Sequence, residues 1–554
     1  MTNAIVSVNV TQTVAPTPPS LQQTGALVSQ GATDLAPGTS YFLTQLSDLT
    51  PILKGAQSLS GLIWAGGTVT ATASGSLNFT VGDTLELTVS GVTPAAYNGT
   101  FLCNVTGART FTYVLASNPG VASIFGAYTP EDVAELLAMA TTFFAQGAQT
   151  GVYALELGPG NVNDGVASLG NYLTQYPNSG YVDGAAGYFY IYLVPRTWDG
   201  NAAFLALIAQ YEALDAATYF FVTTTLATYQ SYTALMKCIF ALVETPQTSP
   251  YASNPLTAIS WSNGVVTATT QNPHGVSPGD WFQLQGVVPI GYNGYSLALP
   301  GTVNNTLVYP LATNPGGYTT LGTLIASLIN TDAIPTTEFT LAAAMRVALN
   351  YQPSQTNKVT PFAFAFLFGV TPFPTQGNSS LIASLKAAGI NYAALGSEGG
   401  ISNTCLFWGT TMDTRDFTYW YSVDWMTINA NINLSNAVIN GSNNPINPLY
   451  YDPDGINRLL SVLVATANSA VGVGLANGQV TRTSLSGPDL AAALDAGTYA
   501  GMILVNAVPF VPYLTINPGD YKIGRYAGLS VIYIPTRGFI QIVVNLNVTD
   551  FVVG

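Results

Sequence analysis

The clearest alternation of apolar and polar residues lies at the C-terminal end of the chain. Between residues 539 and 551 almost every second side chain is apolar, and the positions between them are mostly polar. Because successive side chains of a β-strand point to opposite faces, this pattern predicts a strand with one apolar face. That face consists of Ile540, Ile542, Val544, Leu546 and Val548.

The N-terminal end carries a weaker version of the same pattern, with Val6, Val8 and Val10 separated by polar residues. Residues 15–20, APTPPS, then predict a stiff, extended linker. A strand on such an arm can fold back onto its own sheet, or it can add to the edge of a neighbouring subunit's sheet. The periodicity alone favours the first of these two arrangements.

A helix followed by a strand is predicted between residues 129 and 158. Thr129 is the expected N-cap, Pro130 the first helical residue, and Gly147 the stop. The predicted buried stripe consists of Val133, Leu136, Leu137, Ala140 and Phe144. The segment VYALELG at 152–158 then reads as a strand, so this step is typical of an α/β layer.

Further helices and strands alternate along the chain. Strands are predicted at 187–195 and 217–225, and helices at 340–350 and 380–391. The segment FAFAFLFGV at 362–370 predicts a buried strand. A longer helix is expected over 454–478, where apolar or small residues recur at helical spacing, namely Ile456, Leu459, Leu460, Leu463, Ala467, Ala470 and Gly474.

One short unit occurs twice in the sequence. FTYVLASNPG at 111–120 is nearly repeated as LVYPLATNPG at 307–316, and each copy also contains V-T-A-T, G-D and Y-N-G in the same order. Turn signals between short alternating runs predict a small all-β module over 61–127 and again over 258–322. The pattern resembles small β modules inserted in phage virion proteins. Decoration of an outer face and weak binding of a ligand or surface both stay open.

The composition of the chain narrows the classes of function that it could have. Charged residues make up 7% of the chain, against roughly 25% in an average soluble protein, and 13 Lys+Arg stand against 27 Asp+Glu. The resulting net charge of −14 argues against binding to nucleic acid or to anionic membrane surfaces. So few charges fit a surface covered by copies of the same chain, or a general compositional bias. We expect neither a cleaved secretion signal nor a membrane span.

Candidate catalytic groups are sparse, and we expect no enzyme activity, no cofactor and no metal site. His274 is the sole histidine and reads as a structural surface residue. Cys103, Cys238 and Cys405 are too far apart in sequence to indicate a disulfide framework or a metal cluster. The glycine run at 472–478 lacks dinucleotide-binding spacing and falls inside the predicted helix. Asp452 and Asp454 read as helix start signals.

Three long phrases resemble a contractile bacteriophage tail sheath protein: residues 143–158, 387–438 and 451–478. In the second, one side of a helix carries Trp420, Tyr421, Asp424, Trp425, Ile428 and Ile432. The resemblance implies subunits that stack as hexameric rings into a helical sheath and contract to drive an inner tube through the host envelope. It also implies terminal strands exchanged between neighbours, and so reverses the preference for arms that fold back.

The resemblance implies an α/β (α+β) multidomain sheath-like core with two inserted all-β modules and exchanged terminal β-strand arms. Its partners would be itself, the tail tube protein, and baseplate and tail terminator proteins, in a virion assembled in the bacterial cytoplasm. The expected parts are an arm and linker (1–20), a discontinuous core (21–60, 128–257, 323–440), two modules (61–127, 258–322), a C-terminal α/β domain (441–538) and a C-terminal arm (539–554).

Two other functions remain open from the sequence. A tail-surface adhesin would use the β modules to contact a host cell. A phage-encoded hydrolase would need two carboxylates facing a cleft, which sequence alone does not exclude.

Overall fold

The computed structural model describes residues 21–147, 150–175, 189–244, 254–325, 337–374, 379–396, 403–476 and 503–539, apart from 78, 80, 83, 116, 215, 233–235, 275, 277, 279, 280 and 355. Its helices are α1 (Glu131–Phe144), α2 (Val162–Gln175), α3 (Ala202–Ala213), α4 (Leu226–Ser231), α5 (Thr340–Leu349), α6 (Ser379–Ala388), α7 (Phe417–Ser442), α8 (Pro453–Gly472), α9 (Phe510–Ile516) and α10 (Pro518–Lys522).

The described strands form several separate sheets. In chain order they are β1 (Gly25–Ser29), β2 (Thr39–Leu43), β3 (Gln57–Ala65), β4 (Thr68–Ala73), β5 (Thr84–Ser90), β6 (Gly99–Gly107), β7 (Thr110–Val114), β8 (Ala127–Pro130), β9 (Val152–Glu156), β10 (Ile191–Leu193), β11 (Tyr219–Thr224), β12 (Ile239–Val243), β13 (Asn254–Ser262), β14 (Val265–Thr270), β15 (Trp281–Gln285), β16 (Gly294–Leu297), β17 (Thr306–Pro310), β18 (Thr323–Ile325), β19 (Tyr392–Leu395), β20 (Thr404–Phe407), β21 (Ile503–Ala507) and β22 (Leu529–Tyr533).

A six-stranded sheet in the order β12-β11-β10-β1-β9-β2 forms the centre of the main body. Its strands are parallel except β2, which runs antiparallel to β9 at one edge. All residues of β1, β10, β11 and β12 are buried, as expected for parallel strands covered on both faces. The predicted strands at 152–158, 187–195 and 217–225 are therefore confirmed as members of one sheet.

The start of α1 differs from the prediction. Thr129 is not an N-cap, because it belongs to β8 and pairs with Thr88 of β5. The strand carries extended backbone as far as Pro130, which is the N-cap residue, so the helix begins at Glu131. Of the predicted stripe, Leu137 is 42% exposed. The buried face includes Leu136 and Phe143, while Phe144 is only partly buried.

The phenylalanine-rich segment at 362–370 is not a buried strand. Phe362 is buried, whereas Phe364, Phe366 and Phe368 are 43%, 44% and 54% exposed. Phe364 also has a φ of +62°, a left-handed conformation that interrupts an extended strand. The segment instead follows the edge of β20 irregularly, with the Phe364 N–H donating to the Leu406 carbonyl at 2.7 Å.

The long helices agree with the sequence pattern except at one end. The helices predicted at 340–350 and 380–391 are α5 and α6. The helix predicted over 454–478 is α8, which ends at Gly472. Gly474 has a φ of +81° and lies beyond the helix, so the prediction that the glycine run at 472–478 is helical holds for Gly472 and is wrong for residues 473–476; residues 477 and 478 lie outside the described residues.

Strands β3 to β8 form a closed barrel in the order β3-β4-β7-β6-β5-β8. This barrel is here called the first β unit. Strands β13 to β18, called the second β unit, follow the equivalent order but stay open between β16 and β17. At this edge β6 has 9 residues, whereas β16 has only 4. Each unit encloses its own cluster of buried apolar residues.

The repeated sequence phrases make the same hydrogen bonds in both β units. The asparagine of Y-N-G accepts a backbone N–H six residues earlier, at 2.8 Å for Asn98 and 2.9 Å for Asn293. The tyrosine before it donates to the glycine carbonyl of N-P-G, in the pairs Tyr97–Gly120 and Tyr292–Gly316. The phrases are thus repeated because they close the same turns.

The C-terminal part of the described chain combines a helical hairpin with a small sheet. α7 packs against α8, and α8 packs against the antiparallel pair β21–β22. The side chains buried between them are Met426, Leu463, Ala467, Ala470, Ala476 and Val505.

Candidate assembly surfaces

The residues of the strands predicted to be exchanged between subunits all lie outside the described residues. They are Val6, Val8, Val10, Ile540, Ile542, Val544, Leu546 and Val548. The structure does describe the surfaces to which such strands could add, and the residues next to the two terminal segments.

The sheet β21–β22 is the smallest unit near the C-terminal end. Ile503 pairs with Tyr533 and Ala507 with Leu529, and in the described part of the chain neither strand is joined to a third. A two-stranded sheet is marginal by itself and depends on packing, here against α8. Its outer edges carry backbone groups that a further strand can pair with.

Exposed apolar side chains are frequent in this part of the molecule. Ile446 is 93% exposed, Ile516 76% and Phe539 76%, although single exposed apolar residues are common on any protein. Their number between residues 438 and 539 is what favours a contact surface. The others there are Val438, Ile439, Tyr450, Val511, Tyr521, Ile523 and Ile534.

A cluster of aromatic rings fixes the loops that present these side chains. Tyr451 lies 5.8 Å from Phe510 and 5.2 Å from Tyr521, measured between ring centroids. Its hydroxyl donates to the Arg525 carbonyl at 2.9 Å. Burial raises the pKa of Tyr526 in the same cluster to about 12. The loop before α8 is thereby held against α9 and α10.

The side of α7 that the sequence pattern identifies faces the core. Tyr421, Asp424 and Ile428 are buried, and Trp420, Trp425 and Ile432 pack partly buried against the main core. The hydroxyls of Tyr190 and Tyr219 both donate to Asp424 Oδ2, at 2.9 and 2.8 Å. Burial, and then the charge of Asp424, raise the pKa of both tyrosines. These contacts join α7 to the central sheet.

Glu156 occupies the position where an α/β enzyme would carry a reactive group, at the carboxyl end of a sheet strand. It is 1% exposed and accepts five hydrogen bonds. The donors are the hydroxyls of Ser29 and Thr33 and the backbone N–H groups of Gly31, Thr33 and Gly158, at 2.7 to 3.0 Å. The carboxylate is thus used to hold two loops together.

A second, partly buried group of charges joins distant segments. Arg196 donates from Nε and Nη2 to Glu244 Oε2 at 3.2 and 3.0 Å, while Glu244 Oε1 accepts the Thr340 N–H at 2.5 Å. Arg196 Nη1 lies 3.7 Å from Glu135 Oε1. Burial raises the pKa of Glu135, and the nearby Arg196 partly opposes that shift. These charges hold β12, α1 and the start of α5 together.

A groove of about 310 Å³ lies between α7 and α8. Its lining is small or amide-bearing and contains no titratable side chain: Asn433, Asn436, Ala437, Asn440, Val462, Ala465, Thr466 and Ser469. Such a lining offers hydrogen bonds but neither an acid nor a base for catalysis.

His274 is not a surface residue as predicted, because it is only 5% exposed. Its Nδ1 accepts the Val276 N–H at 3.0 Å inside the second β unit. The three cysteines are buried and form no disulfide with one another, and burial raises the pKa of the Cys238 thiol. Over the residues that the structure describes, no group of three or more metal-ligating side chains occurs, and no helix is long and apolar enough to cross a membrane.

Comparison with known proteins gives structural neighbours only. No family model matches the chain, and no curated protein matches it. The cryo-EM structure of the anti-feeding prophage baseplate, six-fold symmetrised, is similar with 10% identity and a TM-score of 0.46, covering 99% of each chain. The crystal structure of a sheath tail protein from Listeria innocua is similar with 10% identity and a TM-score of 0.34, covering 95% of this chain and 96% of that one.

At such identities and TM-scores the likeness does not extend to individual residues or contacts, so no residue's role is transferred from them.

Proposed function

We propose that this chain is a structural subunit of a contractile tail sheath. It polymerises as stacked hexameric rings around a tail tube and contracts to drive that tube through a host envelope. The carrying observation is the two-stranded sheet β21–β22, whose outer edges are unpaired in the described chain, together with alternating strands predicted at both chain ends. The sheath-like phrases at 143–158, 387–438 and 451–478 support the same function.

Strand exchange would use these two features together. An arm from a neighbour can add to β21 or β22 through backbone hydrogen bonds, which do not depend on the arm's side chains. Such a tether keeps subunits linked while their globular faces repack between two arrangements, which a rigid-body switch requires. On the two arms, the proposed interface residues are Val6, Val8, Val10, Ile540, Ile542, Val544, Leu546 and Val548.

The low charge content supports permanent contacts between copies. Copies with a net charge of −14 repel one another at long range, so contacts between them need surfaces with few charges. Exposed apolar side chains such as Ile446 and Ile516 fit this need, because charged residues are depleted at interface cores. Further partners would be the tube, baseplate and terminator proteins, in a virion assembled in the bacterial cytoplasm.

The test is electron microscopy of the purified full-length chain beside a variant that lacks residues 1–20 and 539–554. We expect striated hollow tubes from the intact chain and none from the truncated one. Discrete particles from both would overturn the sheath proposal.

Two point variants make the same test without removing any residue. Ile542→Asp places a charge on the predicted apolar face of the C-terminal strand, whereas Gln541→Asp places it on the opposite, polar face. Only Ile542→Asp should abolish tubes, because burying an unpaired charge in a packed face is costly. Equal loss in both variants would contradict the predicted register.

We further propose that the two β units are modules inserted into the sheath core. For the second β unit, the two chain segments that flank the unit are held together by contacts outside it. Glu244 accepts the Thr340 N–H, and Arg196 Nη2 donates to the Glu338 carbonyl at 2.9 Å. Each unit has a separate apolar cluster of its own, as an independently folding module requires.

Replacing residues 245–336 by a short Gly-Ser linker should therefore leave the remaining chain folded and able to form tubes, seen as thinner tubes by electron microscopy. A matched deletion of 236–336, which also removes β12, should not fold. Loss of soluble protein in both deletions would contradict the insertion proposal.

A tail-surface adhesin is the second candidate. Both β units expose apolar residues beside the shared turn, with Ile124 57% and Val121 92% exposed in the first and Ile290 80% exposed in the second. This candidate predicts discrete oligomers that bind host cells and lose binding when Ile290 is changed to Asp.

A further inference from the structure

The last described residues of the chain are tied to the main body at several points. The Thr536 N–H donates to the Leu475 carbonyl at 3.0 Å, and its hydroxyl donates to the Gly474 carbonyl at 2.8 Å. Pro535 forms an isolated antiparallel bridge with Ala476. Residues 535 and 536 are therefore fixed to the loop that follows α8.

Two residues further on, the segment reaches the start of α7. Asp416 is the N-cap of that helix, with Oδ1 accepting the Thr418 N–H at 3.1 Å. Its other oxygen, Oδ2, accepts the Gly538 N–H at 2.7 Å. Asp416 is 4% exposed, and burial raises its pKa while the N–H groups of Gly538 and Thr418 oppose the shift. One carboxylate thus joins the helix start to the C-terminal segment.

The place occupied by Gly538 admits no larger residue without a shift. A Cβ added there would lie 2.6 Å from the Pro361 Cβ and 3.4 Å from Asp416 Oδ2. Beside it, the Arg537 guanidinium lies 5.3 Å from the centre of the Tyr419 ring, a cation–π contact on the first turn of α7. The backbone at 538 is therefore seated in a slot between Pro361 and Asp416.

We propose that Asp416 and this slot form an anchor for the root of the C-terminal segment. The anchor fixes the point from which residues 539–554 leave the subunit, and Asp416 acts as a positioning residue. The inference rests on the proposed function, in which that segment tethers neighbouring subunits. A pull on the segment is then carried by Asp416 into α7, a helix of 26 residues joined to the central sheet through Asp424.

The chain itself supplies a probe of the anchor, because trypsin cleaves after arginine and Arg537 is exposed. The bond it would cut contains the Gly538 nitrogen, whose N–H is held by Asp416. The protease must draw the segment out of the slot before it can cut. The cleavage rate at Arg537 therefore reports how often the anchor opens.

The decisive variant is Asp416→Asn. Asparagine caps helices about as well as aspartate, so α7 keeps its N-cap, but the second amide atom is an NH₂ group that cannot accept the Gly538 N–H. The matched control is Asp452→Asn, the same change at the N-cap of α8, whose side chain accepts the Gly455 N–H. Gly538→Ala tests the slot itself, because the added Cβ would clash with Pro361.

Trypsin is applied to the full-length chain at a concentration below that of polymer formation, and the 538–554 peptide is followed by mass spectrometry. Asp416→Asn and Gly538→Ala should each release it about tenfold faster than the unaltered chain, and Asp452→Asn at the unaltered rate. An unchanged rate in Asp416→Asn, or an equal rise in Asp452→Asn, overturns the anchor.

Electron microscopy of the same variants separates the anchor from the proposed function. Faster cleavage together with fewer or shorter tubes supports an anchored tether. Faster cleavage without any tubes from the unaltered chain leaves the anchor standing and overturns the sheath proposal. Normal tubes with unchanged cleavage overturn the anchor alone.

Discussion

Replacing Glu156 by alanine is expected to lower the free energy of unfolding of the main body by about 4 kcal/mol. The substitution removes the acceptor of five hydrogen bonds inside a site that is 1% exposed. Each buried donor left without a partner costs roughly 1–3 kcal/mol, and water entering the new cavity offsets part of that sum. The loops at Gly31 and Gly158 would lose the group that holds them together.

The measurement is thermal unfolding followed by circular dichroism, where a change of this size lowers the midpoint by about 10 °C in a body of 150–250 residues. Asp34→Asn is the control, because it removes an acidic charge from an exposed position near the same loop. A drop of less than about 1 kcal/mol in Glu156→Ala would show that solvent replaces the carboxylate fully.

The role of Glu156 illustrates what the sequence does and does not carry. Alternation predicts the strand at 152–158, since that pattern is local. The five donors come from Gly158 and from Ser29 to Thr33, more than a hundred residues away in the chain. Only the pairing of β1 with β9 brings those groups together, and pairing depends on the whole sheet.

The repeated phrase shows the same division. Turn residues such as Asn98 and Asn293 act within their own turns, so their repetition predicts two units with the same strand order. The sequence does not show that only the first unit closes into a barrel. That outcome depends on where β6 and β16 end, and strand ends are set by pairing with neighbours as well as by turn residues.

The two clearest errors of prediction concern residues whose burial differs from what their residue type indicates. A run of phenylalanines predicts burial, yet Phe364 turns outward because its backbone is left-handed at that point. A histidine in a loop predicts exposure, yet His274 is buried and its Nδ1 accepts the Val276 N–H. The anchor at Asp416 was likewise not predicted, although aspartate before a helix is a recognisable N-cap signal.

The buried charges that close the core around the second β unit give the other large expected effect. Glu244→Ala should lower the free energy of unfolding by about 3 kcal/mol, because the partly exposed Arg196 loses its nearest carboxylate and a buried acceptor is removed. Arg196 would retain Glu135, whose Oε1 is 3.7 Å from Nη1, but lose the shorter contacts to Glu244. The Thr340 N–H would lose its acceptor as well.

The triple variant Glu135→Gln, Arg196→Met and Glu244→Leu is the informative comparison. It removes all three charges, so that Glu135 is not left without Arg196, while the new amide can still accept the backbone N–H of residue 196; replacing a buried ionic group by neutral residues of similar size is often close to neutral. Thermal unfolding should therefore show a smaller loss in the triple variant than in Glu244→Ala. An equal or larger loss would mean that the hydrogen bond to Thr340, and not the charge pair, holds β12 to α5. The flanks of the module would then be joined chiefly through the backbone, and Glu244→Gln, which keeps an acceptor for Thr340, should restore most of the stability.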